Sequence, residues 1–218
     1  MFVAISIAGF IIVIAGITLH YLVTAPNMDD LFGKERRRRA LDGLRVIIYL
    51  LTLLLPEQKL NIIGVLRKLV FLLGLLCFVV LVITGFVPLL ILNKHLSGYL
   101  LMLHTTAAGV FSVCLAILAV MWADNCRFDK TDWPWLVKIL RIEPVNITSQ
   151  KYQLVLKITF WLIIFLALPL ILSAILSMFK LFGTYQQEFL LWLHRYSALS
   201  ITLAIIIHTY LLTRNQMP

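Results

Sequence analysis

"WLHRYSALSITLAIIIHTYLL", Trp192 to Leu212, is nearly all apolar, yet it holds His194 and His208 fourteen positions apart. Twenty-one residues of this kind match the roughly 20 that cross a bilayer's hydrocarbon core as a helix. In such a helix, fourteen residues rise about 21 Å and turn nearly four times. The two imidazoles therefore look out of roughly the same side, one towards each membrane surface. Ionisable groups within a membrane are costly and turn to the bundle interior or a functional site. A helix presenting a neutral imidazole at each of two levels suits two stacked metal cofactors, because imidazole ligates iron well.

The rest of the 218-residue chain is of the same character. Hydrophobic residues make up 61% and charged residues 13%, proportions of a polytopic membrane protein rather than a soluble domain. Four further runs reach spanning length: Phe2–Val23, Leu69–Leu92, Ser97–Ala123 and Leu154–Phe179, followed by Phe189–Leu212. Backbone groups in lipid must be satisfied within each segment, and the alternation of a membrane barrel is absent, so the fold expected is five transmembrane helices, all α. The first run has no Lys or Arg before it and reads as a retained helix rather than a secretory leader. The stretch Leu41–Leu60 has a short apolar core ending at Pro56 and reads as interfacial or re-entrant.

Net charge is +9, and its placement sets the expected topology. Lys34, Arg36 to Arg39, Arg45, Lys59, Arg67 and Lys68 lie between or beside the first two spans. Arg127, Lys130, Lys138, Arg141, Lys151 and Lys157 lie between or beside the third and fourth. The other two connections offer only Lys94 and Lys180. By the positive-inside bias the two basic segments face the cytoplasm, the N-terminus lies outside and the C-terminus inside. "ERRRRA" reads as an anchor on anionic lipid, not as a nucleic-acid site. Cys77, Cys114 and Cys126 form no CxxC or CxxCH and read as apolar fillers.

Each of two cofactors would need a partner histidine from another helix at its own depth. His104 lies about eight residues into the third run and His194 about six into the fifth, so at about 1.5 Å per residue their depths agree within a few ångströms. His20 and His208 both lie near the inner ends of their runs. The expected pairs are His104 with His194 on the outer side and His20 with His208 on the inner side. His95, nine residues before His104, falls at the membrane edge about 180° away on a helix. "TTAAG", Thr105–Gly109, would let a flat macrocycle approach the backbone; small residues also simply pack helices. Iron held by two imidazoles has no open position and passes electrons rather than binding oxygen.

Four stretches resemble a known family. "LRKLVFLLGLLCFVVLVITGF" (Leu66–Phe86), "HTTAAGVFSVCLAILAVMWADNCRFDKTDWPWL" (His104–Leu136), "TSQKYQLVLKITFW" (Thr148–Trp161) and "LHRYSALSITLAIIIHTYL" (Leu193–Leu211) are similar to the di-haem cytochrome b gamma subunit of respiratory formate dehydrogenase and its hydrogenase and thiosulfate reductase relatives. The resemblance covers the chain from about Leu66 onwards. It implies a four-helix haem-binding domain over 66–218, with residues 1–65 an added helix and a basic interfacial segment. It implies His104 and His194 as outer haem ligands and His208 as one inner ligand. Alignment on "TGF" places Phe71 where the family has the other inner ligand; His20, on the added helix, stands at the level to substitute. The family's quinone pocket corresponds to "NITSQK", where Asn146, Ser149 or Gln150 could donate to a quinone carbonyl. A helix N-cap at Thr148 or Ser149 is the plainer role for that stretch. Arg195 and Lys94 are candidate partners for haem propionates, or ordinary interface anchors.

The function expected is that of a cytochrome b subunit in the cytoplasmic membrane of a prokaryote. It would pass electrons through two b-type haems between a periplasmic-side iron–sulfur or multihaem partner and the quinone pool. Two alternatives differ in class: a cofactor-free membrane anchor for a peripheral redox enzyme, and a transporter of protons or metal. A transporter would be expected to show mid-membrane Asp, Glu or broken helices, and apart from Pro169 the spans show almost none.

Overall fold

The structure is a computed structural model, and it describes residues 1–23, 62–134, 137, 149–179 and 182–215. Five helices run along the chain: α1 (Phe2–Val23), α2 (Ile62–Leu90), α3 (Gly98–Ala123), α4 (Ser149–Met178) and α5 (Thr184–Asn215). All five are long and apolar enough to cross a membrane, and no strand occurs among the described residues. The all-α, five-span fold expected from the apolar runs is the fold found. The stretch Leu41–Leu60 lies outside the described residues.

The helices outrun the apolar segments. α2 starts seven residues before Leu69 and takes in Arg67 and Lys68; α4 and α5 each start five residues before the apolar run. Intrahelical hydrogen bonding continues through the headgroup zone, where long basic side chains reach water while their stems stay in lipid. Position 95 changes character for the converse reason. His95 is exposed in the α2–α3 connection, because α3 opens only at Gly98. α2 closes with Asn93 at φ 48° and the Lys94 N–H donating to the Pro88 carbonyl at 2.9 Å. Asn tolerates this left-handed conformation better than most residues.

By contact the chain forms two compact units. One holds α2 and α3; the other holds α1, the 125–134 stretch, α4 and α5. By contact α1 groups with α4 and α5.

In the first unit, α2 and α3 are antiparallel. Phe71 meets Trp122 with ring centroids 5.9 Å apart, and Phe78 meets Phe111 at the same distance. Cys77, Ala107 and Phe111 form the buried centre. A Cβ added at Gly74 would stand 3.3 Å from Cys114 Cβ. In lipid there is no hydrophobic gain from joining two apolar helices, so close approach at small residues supplies the packing. Cys77 and Cys114 are buried free thiols within that packing, as the filler reading expects.

In the second unit, α5 packs against α4 on one side and α1 on another. The α1 contacts are Phe2 with Tyr196 (centroids 5.4 Å apart), Gly9 with Leu203, and His20 with Tyr210. They ascend together, so α1 and α5 run parallel. On α5 they recur every seven residues, which marks a single stripe down the helix.

Candidate functional site

Three histidines in apolar helices share one environment. In the first unit His104, on α3, has Nδ1 2.8 Å from Thr84 Oγ1 on α2. In the second, His208 Nδ1 lies 2.7 Å from Thr159 Oγ1, and His194 Nδ1 lies 3.3 Å from the Leu170 carbonyl and 3.5 Å from Ser173 Oγ, all on α4. Thr84, Thr159 and Ser173 are buried at 4%, 7% and 0% exposure, so water does not compete for these groups.

The direction of each bond follows from counting protons. A hydroxyl has one proton. Thr84 Oγ1 sits 2.7 Å from the Val80 carbonyl of its own helix, and Thr159 Oγ1 sits 2.9 Å from that of Val155. Carbonyl oxygens only accept, so a hydroxyl that gives its proton to its own helix has its oxygen left to accept from the ring. Ser173 likewise bonds the Leu170 carbonyl at 2.9 Å. At His194 the Leu170 carbonyl, an acceptor only, requires Nδ1–H; at His104 and His208 the same tautomer, with the lone pair on Nε2, goes with a hydroxyl proton kept on the helix backbone. That is the tautomer of a metal-ligating imidazole whose other nitrogen is held by an oxygen acceptor.

Space is arranged as well as polarity. A Cβ added at Gly85 would meet His104 Cε1 at 3.3 Å. The Thr84–Gly85 pair thus offers the ring an acceptor and bare backbone in adjacent positions. Beside the ring, Thr105 and Thr106 are exposed and bond back to the Leu101 and Met102 carbonyls, and nothing stands within 4 Å of a Cβ built on Gly109. Of "TTAAG", Thr105, Thr106 and Gly109 face an open surface, while Ala107 packs into the buried centre.

His20 differs. Its Nδ1 lies 2.7 Å from Tyr210 Oη, with the rings edge to face at 88°. A phenol both donates and accepts, so this contact does not assign the tautomer. Tyr210 is two residues beyond His208, which places it about 200° round α5. The partner of His20 and the imidazole at 208 thus leave α5 on nearly opposite sides, His208 towards α4 and Tyr210 towards α1. Phe71, at the position where the resemblance expects a ligand, is packed on Trp122.

His104 lies in one unit and His194 in the other. Measured from the observed helix starts, His104 is the seventh residue of α3 and His194 the eleventh of α5. The fourteen-residue interval between His194 and His208 stands unbroken within α5.

At one end of α5 Trp192 stacks on Tyr196 at 5.8 Å, with the Arg195 guanidinium 5.7 Å above the Trp192 ring. This suits the edge of a bilayer, where aromatic rings and cations anchor helices. Lys94 is exposed in the α2–α3 connection. Ser149 and Gln150 open α4, but their side chains, and all of Asn146, lie outside the described residues.

The 125–134 stretch is clasped to α4. Asp132 Oδ2 receives the Lys157 ammonium at 2.6 Å and the Asp129 N–H at 2.9 Å, and Trp161 Nε1–H donates to the Cys126 carbonyl. The Asp129 amide, then Lys157, hold the Asp132 carboxyl below the ordinary carboxylate range. Burial pushes the Cys126 thiol up, with Lys157 opposing it. No family model, curated protein or solved structure matches the chain. Among the described residues there is also no cluster of three or more His, Cys, Asp or Glu side chains that could hold a bare metal ion.

Proposed function

We propose that the chain is a membrane cytochrome b subunit that passes electrons between a redox partner on the outer side and quinone, using two b-type haems. The observation that carries this reading is the common state of three imidazoles. His104, His194 and His208 each set Nδ1 against an oxygen on a neighbouring helix, and two of them stand fourteen residues apart on one helix. A porphyrin supplies four equatorial nitrogens itself and asks the protein only for axial ligands. Dispersed single histidines therefore fit haem where they would not fit zinc, which takes three or four protein ligands.

In this reading His104 and His194 would hold the outer haem and His208 would help to hold the inner one. Haem bound there supplies one-electron chemistry. The described residues supply fixed imidazoles, an apolar surround and, at Arg195, a cation for a propionate. His20 stands at the inner level in sequence, but its Tyr210 partner leaves α5 on the side away from His208, so the proposed ligand set leaves it out. Quinone would bind on the cytoplasmic side beside the stretch 146–151. The basic segments would place the N-terminus outside and the C-terminus inside the cytoplasmic membrane of a prokaryote. The partner would be an iron–sulfur or multihaem subunit.

The test is an optical spectrum of the purified chain, oxidised and then reduced with dithionite, together with a haem count. A low-spin b-type signal with two haems per chain supports the reading. Its absence would leave a cofactor-free anchor or a transporter, the alternatives from other classes.

A further inference from the structure

We infer that Thr84, Thr159 and Ser173 are positioning residues, each fixing the Nδ1–H tautomer of one histidine and raising the donor strength of its Nε2. This rests on the cytochrome reading for its consequence at iron, but the hydrogen-bond polarity is a property of the chain itself.

Each hydroxyl has a carbonyl of its own helix within reach to take its proton, which frees its oxygen to accept from the ring. Thr84 has the Val80 carbonyl at 2.7 Å and the Leu81 carbonyl at 3.4 Å, and Thr159 has Val155 at 2.9 Å and Leu156 at 3.1 Å. With its proton committed to the helix backbone, the oxygen becomes a fixed negative dipole end at the imidazole N–H. Polarising that N–H raises the basicity of the ligating nitrogen, and outer partners of this kind affect metal affinity by about 10- to 100-fold. A more basic imidazole stabilises ferric over ferrous iron, so the hydroxyls hold the potential down. The arrangement occurs in both compact units, on α2 with α3 and on α4 with α5. At Ser173 the serine and the carbonyl it bonds, Leu170, both face the same ring.

The register shows the same device twice. Thr84 stands ten residues before Lys94 and His104 ten after it. Ser173 and Thr159 stand ten and twenty-four residues before Gly183, and His194 and His208 eleven and twenty-five after it. Two hydroxyls fourteen apart on α4 thus oppose two histidines fourteen apart on the antiparallel α5. A back-bonding threonine or serine is ordinary in an apolar helix, but its placement opposite each of these imidazoles is not explained by back-bonding.

The experiment uses the full-length chain in lipid with ¹⁵N-labelled histidine. Thr84→Val and Thr159→Val keep shape and remove the acceptor; Thr84→Ser and Thr159→Ser keep it. Wild type is expected to show Nδ1-protonated imidazoles at 104, 194 and 208. Each valine variant is expected to change the ring-nitrogen signals of its own histidine only, with the serine variant restoring them. In haem-loaded protein, Thr84→Val should raise the midpoint potential of the outer haem alone and Thr159→Val that of the inner haem alone. Haem retention at the altered site should weaken about 10-fold. Nε2-protonated rings in wild type, or nitrogen signals and midpoints unmoved by the valine variants, would overturn the inference. Locked Nδ1–H tautomers in a protein that takes up no haem would uphold it and end the cytochrome reading instead.

Discussion

Helix α5 carries two stripes that look alike in composition and behave differently. One bears His194 and His208 and meets the hydroxyls and a carbonyl of α4. The other bears Tyr196, Leu203 and Tyr210 and meets Phe2, Gly9 and His20 of α1. On the first stripe each imidazole faces a carbonyl, or a hydroxyl that has a backbone carbonyl within reach for its own proton. On the second the one imidazole faces a phenol, which can donate or accept. A histidine in an apolar helix is thus read by the proton count of its neighbour. Burial does not separate them, since His20, His194 and His208 are all half-buried.

Substitution on the two stripes sharpens this contrast. The largest expected effect is at the α4-facing stripe: His208→Ala and His194→Ala should each remove one haem per chain, seen in the pyridine haemochrome count and the loss of one redox wave. His20→Ala should leave the count at the wild-type value; a loss of one haem there would break the contrast and move His20 to the inner iron. Gly9→Val should act on packing alone. A Cβ at Gly9 stands 3.1 Å from Leu203 Cδ1, and overpacking of this kind costs about 1–3 kcal/mol. The thermal midpoint should fall while the haem count holds.

The smallest effect lies off both stripes, at the Asp132–Lys157 clasp. The pair is partly open to solvent, with side chains 16% and 20% exposed, so Asp132→Asn should cost about 1 kcal/mol or less. The Asp132 carboxyl is held below its ordinary value by the Asp129 amide and then by Lys157. A depressed carboxylate stabilises the fold above its unfolded value, about pH 3.9, and that contribution is lost as pH falls through the lower folded value. The variant should therefore lose this contribution, about 1 kcal/mol or less, in the neutral region, flatten the acid limb of the stability curve, and match the wild type at pH values below the folded value.

The helices were legible because apolar length is a sufficient signal in a chain of this composition. Their ends were not, since Arg67, Lys68 and the residues 184–188 look like boundaries by hydropathy while the backbone continues its hydrogen bonding through them. The fourteen-residue histidine interval was legible from periodicity alone. The pairing of His20 with His208 followed from depth, and depth says nothing of angle; the His20 Nδ1 contact with Tyr210, two positions on, was not legible from the runs. The hydroxyl partners went unread because a lone threonine in an apolar helix has an ordinary reading. Their signal was nevertheless present as equal counts on either side of Lys94, and as counts one apart on either side of Gly183.

Gly85 carries one further consequence. With bare backbone on one flank and the Thr84 oxygen on the other, the ring at 104 has little room to swing. In the proposed cytochrome, a ligand clamped in this way would keep its place in both oxidation states. Little nuclear rearrangement would then accompany each electron, and distance and driving force would mainly govern the rate.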